Sequence, residues 1–192
     1  MIALDEFALQ SIPDTHYAWA QKNTKPRVLS DERHRQKMNG FLMVDVQRGD
    51  TRVEFHEESR SEQVAGALVT LLLSYLQHGY RQVTVLLDNA RTHGKRMQDE
   101  VSRLLQELSS PSVFKDFTVN YRHTPTYSPQ LNPAEYVIHA IRRNALYHVP
   151  CTLSLANKVE RVRAQLARGS PMNDVQMRSL LDYIARYKVK RF

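Results

Sequence analysis

The stretch "QVTVLLDN", residues 82–89, narrows the fold more than any other. Its β-branched and leucine side chains run on without the polar alternation of a half-exposed strand, so a central strand covered on both faces is predicted. Helical patterns flank it. Residues 60–78 place Val64, Leu68, Leu71, Leu72 and Tyr75 on one face, open on a Ser59–Glu62 capping-box pattern and close at Gly79. Residues 94–108 do the same with Met97, Val101, Leu104, Leu105 and Leu108. "MIALDEFAL" and "FTVNYRH" (117–123) read as further strands, and 41–47 with 51–57 as a hairpin turning at Gly49-Asp50. The charged stretch 21–39 reads as an exposed excursion, and helices are predicted near 133–147, 153–167 and 174–187. Strands first, then αβαβα with extra C-terminal helices, give a mixed α/β layered domain, most simply one domain over 1–192.

The formal charge of +7 points to a polyanionic partner, nucleic acid before membrane. The apolar run "AGALVTLLLSYL" (65–76) is too short to span a bilayer and reads as a buried helix. "MIALDEFALQ" lacks the basic leader of a signal peptide. A single cysteine, Cys151, rules out a disulfide or thiolate zinc site within the chain and suits a reducing cytosol. There is no G-x-S-x-G elbow, H-E-x-x-H, Walker-type loop or dinucleotide fingerprint, and the eight histidines show no zinc spacing.

Three acids stand where chemistry needs them. Asp88 ends the buried strand, the place where ligands and metals gather in open α/β sheets, although Asp-Asn is also ordinary turn chemistry. Asp5 lies inside a strand, where a bare carboxylate must be paired, solvated or metal-bound. Asp45 in "FLMVDV" raises the same question, and pattern alone does not separate the two. Glu135 follows Asn132 and Pro133 as the third residue of a capping box, a full structural explanation by itself. Yet Glu135, His139, Arg142 and Leu146 also share a helix face, aligning a carboxylate, an imidazole and a guanidinium. Arg91, Lys95 and Arg96 crowd a helix start that disfavours cations unless an anion binds there too.

These residues carry a resemblance. "IALDEFAL", "VTVLLDNARTH" and "YSPQLNPAEYVIHAIRRNAL" resemble the three signature blocks of the DDE-superfamily transposases, in the bacterial insertion-sequence branch related to mariner elements. The Tyr-Ser-Pro…Leu-Asn-Pro-x-Glu string is the most specific of them, and Trp19 matches the tryptophan downstream of the first block. The resemblance implies a ribonuclease H-like fold, a mixed five-stranded sheet flanked by helices, with Asp5, Asp88 and Glu135 as catalytic metal ligands. It favours Asp5 over Asp45. Hard oxygen ligands imply Mg²⁺ or Mn²⁺, as two ions about 3.5–4 Å apart that activate the attacking oxygen and stabilise the leaving one. The implied partners are transposon terminal inverted repeats, target DNA cut at TA dinucleotides and a second copy of the chain, in a prokaryotic, nucleoid-associated setting. Arg91, Lys95, Arg96, His139, Arg142 and Arg143 are the expected DNA contacts.

Three features depart from that family. Only four residues precede Asp5, which leaves no room for helix-turn-helix modules and suggests a catalytic fragment, a split-frame product or a domesticated remnant. The interval from Asp88 to Glu135 is long, with extra length near 107–116, and "QKNTKP" after Trp19 lacks an expected glycine. A transposase catalytic domain is therefore the leading expectation. A catalytically idle DNA-binding or dimerisation protein and a stand-alone nuclease are the alternatives. Lys158, Arg161, Arg163 and the "RYKVKRF" tail are expected on a surface facing DNA or a partner subunit, with a solvated helix face as the alternative.

Overall fold

A computed structural model of the chain describes residues 1–12, 19–24, 35–109, 114, 116–147, 149–150 and 152–189. The strands are β1 (Ile2–Gln10), β2 (Lys37–Asp45), β3 (Thr51–His56), β4 (Gln82–Leu87) and β5 (Thr118–His123). They form one mixed sheet in the order β3-β2-β1-β4-β5. β1–β2 and β2–β3 pair antiparallel, whereas β1–β4 and β4–β5 pair parallel. The predicted hairpin is present and turns through Gly49, whose φ of 76° suits glycine. β2 starts at Lys37, so the end of the expected excursion is strand. Residues 21–24 are exposed, as expected, while 25–34, Cys151, 110–113 and 115 of the expected extra length, and 190–192 of the basic tail lie outside the described residues.

Helices α1 (Ser61–Gln77) and α2 (Lys95–Leu108) cover one face of the sheet. Val64, Leu68 and Leu72 of α1 are fully buried against Ile2, Leu4, Val85 and Leu87, each contributing roughly 1.5–3 kcal/mol. α3 (Pro133–Ile141), α4 (Leu155–Ala167) and α5 (Asp174–Val189) build the other side, over Ala3, Phe7, Leu42 and Val44. α3 packs on β1 and β2, and α4 on β1 and β3. Neither settles over β4, so the expectation of a strand buried on both faces is half met. Val83, Val85 and Leu87 are buried, but Thr84 and Leu86 are only partly covered. That uncovered flank leaves space for a cleft. Among the described residues no helix is long and apolar enough to cross a membrane.

Two local expectations change. The first residue of α1 is capped by Arg60, whose backbone N–H donates to Gln63 Oε1 at 3.0 Å, so Ser59 and Glu62 make no capping box. After α3 the chain widens into a π-helical turn, Arg142–Leu146, closed by Tyr147 N–H donating to Arg142 O at 2.9 Å.

Candidate active site

β1 places the first acid. Its parallel register with β4 pairs Ala3 with Leu86, and two residues further on Asp5 comes level with Asp88, just past the end of β4. Side chains alternate along a strand, so Asp5 shares the α3 side with Ala3 and Phe7. Asp5, Asp88 and Glu135 all line one cleft of about 360 Å³, walled by the loops after β4 and β5. This is the crevice beyond the carboxyl ends of parallel strands.

Asp5 is buried. Its Oδ1 accepts from Glu6 N–H at 2.8 Å and its Oδ2 from Asn132 Nδ2 at 3.0 Å. Burial, then the neighbouring Glu135 and Asp88 charges, raise its pKa to about 7. Asp45 does not compete for the site. It pairs with Ile2 at the other end of β1, and its carboxylate accepts from Gln47 N–H, Arg48 N–H and the Tyr75 hydroxyl to hold the β2–β3 turn.

Asn132 does two jobs. Its Oδ1 caps α3 by accepting from Ala134 N–H at 3.1 Å, while its Nδ2 reaches Asp5 and Leu4 O. The predicted back-bond from Glu135 is not made, because the Asn132 N–H donates to Pro129 O at 2.9 Å. The Glu135 side chain therefore lines the cleft while Asn132 caps the helix.

Asp88 closes its own turn, with Oδ1 accepting from Ala90 N–H at 2.9 Å and from His93 Nδ1 at 2.5 Å. The His93 bond is the main cause of its lowered pKa. His93 is 1% exposed, and its Nε2 faces Glu6 Oε1 at 3.3 Å, an ion-pair distance without hydrogen-bond geometry. Burial alone would push the imidazole down, but Asp88 and Glu6 overcome this and hold its pKa near 9. Glu6 also accepts from Thr92 Oγ1 at 2.9 Å and from the Ser59 hydroxyl. Burial works to raise the Glu6 pKa, and these contacts together bring it below its ordinary value. As parts of the site Glu6, Ser59 and Thr92 escaped sequence reasoning, which read Ser59 only as a helix cap. The signal was strand alternation, which turns Glu6 away from Asp5 and toward the polar start of α1.

The expected DNA contacts separate into two groups. Lys95 and Arg96 sit in a mixed-charge groove with Asp99, Glu100 and Arg103, and Arg96 pairs with Glu62. They are not part of the acid cleft, because the 310 turn Arg91–His93 intervenes before α2. His139 and Arg143 lie beside the cleft in adjoining hollows, whereas Arg142 lines none of them. An α-helix already sets the position four beyond His139 about 40° from it against about 60° for the one three beyond, and the π turn carries Arg142 further off the line. Lys158, expected on the surface, is 1% exposed and donates from Nζ to Gln10 O at 2.7 Å and Ile12 O at 2.5 Å. Arg161 donates from Nε to Ala145 O, and Arg163 pairs with Glu160 beside the Phe55 ring.

The donors suit a hard cation. Three carboxylates share the cleft, and Asp5 is pushed up partly by the other two, so a divalent ion would relieve their repulsion. Among the described residues no three His, Cys, Asp or Glu side chains are yet close enough to enclose an ion in this conformation.

A mixed five-stranded sheet with acids at its parallel strand ends defines a ribonuclease H-like protein. The profile described as DDE superfamily endonuclease matches residues 1–154, and the chain belongs to that family. The Mos1 transposase paired-end complex with left transposon end is similar in fold, with a TM-score of 0.60 and 18% identity over 97% of this chain and 53% of that one. The Mos1 mariner paired-end complex with Mn gives 0.62 and 17%, with the same coverage. The catalytic domain of Mos1 mariner transposase gives 0.55 and 18%, over 97% of this chain and 78% of that one. The chain thus spans about half the length of the transposases in the paired-end complexes. No curated protein matches it significantly.

Proposed function

We propose that the chain is the catalytic domain of a transposase, which cleaves DNA phosphodiesters at transposon ends and joins the freed strand to target DNA. One observation carries this reading: Asp5, Asp88 and Glu135, from a strand, a strand end and a helix start, line a single cleft. Similar folds have been solved as paired-end complexes, with Mn and with Mg. Those three carboxylates would hold Mg²⁺ or Mn²⁺, as two ions, which lower the pKa of an attacking water and stabilise the leaving oxygen. The chain's own residues do the rest. Asn132 and the Glu6 amide aim the Asp5 carboxylate, and His93 fixes Asp88 through Oδ1. His139 and Arg143 stand beside the cleft to position the phosphodiester backbone. Terminal inverted repeats, a TA target, a homodimeric assembly and a prokaryotic nucleoid setting belong to the same reading.

The test is a nicking assay on duplex DNA with Mg²⁺, Mn²⁺ or a chelator. Wild type should nick only with metal, and Asp88→Asn should lose at least about a hundredfold in rate. Nicking that survives Asp88→Asn would sink the assigned site. Metal-independent DNA binding without nicking would favour an idle DNA-binding derivative.

A further inference from the structure

The acid cleft does not end at Glu135. It shares Pro129 and Glu135 with a second hollow of about 370 Å³, which shares Tyr136 and His139 with a third of about 330 Å³. The three form one channel along α3 to the start of α5. Beyond Glu135 its basic lining is His139 and Arg143, and both are exposed. Tyrosines stand on either side of them. Tyr136 and Tyr147 form half-buried walls, with the Tyr136 hydroxyl donating to Gln130 O at 3.2 Å.

Tyr127 stands at the mouth of the channel, 97% exposed, on a backbone with φ of 56°. Side chains other than glycine rarely adopt that conformation. The loop holds it there: Thr124 N–H donates to Leu87 O at 2.8 Å, Asn89 Nδ2 donates to Thr124 O at 2.7 Å, and Ser128 is buried. Within the described chain this ring buries nothing. Its outward face, carried on an anchored loop, suits stacking on a planar partner.

We infer that this channel binds one unpaired DNA strand leading from the acid cleft, with Tyr127 stacking on the base at the mouth and Arg143 on a phosphate. Interleaved aromatics and cations are what single-stranded nucleic acid needs, whereas the bases of a duplex are already stacked on one another. The inference rests on the acids being a DNA-cleaving site and adds the path of the strand.

Fluorescence anisotropy with labelled dT12 and a 12-base-pair duplex, in chelator, tests it without cleavage. The whole chain should bind dT12 more tightly than the duplex at equal salt. Tyr127→Ala should weaken dT12 binding about tenfold and Tyr127→Phe should restore it. Arg143→Ala should lower the slope of log affinity against log salt by about 0.7. Unchanged dT12 binding in Tyr127→Ala, or tighter binding of the duplex, overturns the channel. Because Tyr127 is exposed, its variants should keep the wild-type unfolding midpoint. Nicking with Mg²⁺ in the same preparations separates the two readings. A chain that nicks DNA but ignores Tyr127→Ala loses only the channel, and one that binds dT12 through Tyr127 without nicking loses only the nuclease.

Discussion

Glu6 and Asp88 face one buried imidazole from opposite sides, and that makes the site's electrostatics measurable without substrate. The folded pKa of His93, about 9 against an ordinary 6.5, means its contribution to stability is complete below 6.5 and lost as pH rises through 9. Glu6 and Asp88 are lowered, so their contributions are present above their ordinary values and lost as pH falls through the folded ones. Asp5 works the other way: raised from 3.8 to about 7, it costs stability as pH climbs through that interval. Between about pH 7 and 9 in chelator the thermal midpoint should therefore fall on account of His93. In Glu6→Gln the imidazole has one partner fewer, so the fall should be smaller and end at lower pH when midpoints are scanned from about pH 5 to 10. An identical alkaline limb in both proteins would detach His93 from Glu6. That Asp5, Asp88 and Glu135 would share one cleft was legible through the family-like blocks that carry them, since turn chemistry explains Asp88, a cap explains Glu135 and pattern left Asp5 level with Asp45. Glu6 was not, since its Thr92 partner lies 86 residues away, nor was the second role of Asn132, 127 residues from Asp5.

Among the elements, α3 is the one whose start the site depends on. Replacing Asn132 with Ala removes the cap, which costs about 0.5–2 kcal/mol, and takes away the side-chain donor to Asp5. Asn132→Ser keeps a capping oxygen and loses the tie. Denaturant midpoints should therefore fall in the order wild type, Ser, Ala, and equal midpoints for Ser and wild type would show that the tie to Asp5 contributes nothing. The periodicity of α1 and α2 was plain in the sequence, as were the hairpin and β5, because each buries an apolar face at a regular spacing. The half-covered state of β4 was not, since it depends on where α3 and α4 come to rest. Capping at Ser59 was read from a motif that tertiary contact overrode, when Glu6 claimed the hydroxyl.

At the scale of the whole molecule, two cores on opposite faces of the sheet meet at β1, and Lys158 clamps the end of that strand to α4. Lys158→Met should fill similar space but leave the Gln10 and Ile12 carbonyls short of a donor, a loss of about 1–3 kcal/mol. Hydrogen exchange should quicken at the end of β1 while α1 stays protected. Weaker DNA binding at unchanged stability would instead return Lys158 to the surface. A charge of +7 hid this residue, because a buried lysine and a phosphate-binding one look alike in sequence. The π turn at Arg142–Leu146 bears on a different matter, how the chain tolerates changes in length. It accommodates one residue more than a regular turn. Dropping one residue there would let α3 continue as ordinary helix while the side chains beyond the turn keep close to their present directions. Tyr147 would stay at the channel wall. A deletion in a regular helical stretch instead swings every later side chain by about 100°, so these five positions are where the helical chain best absorbs the loss of one residue.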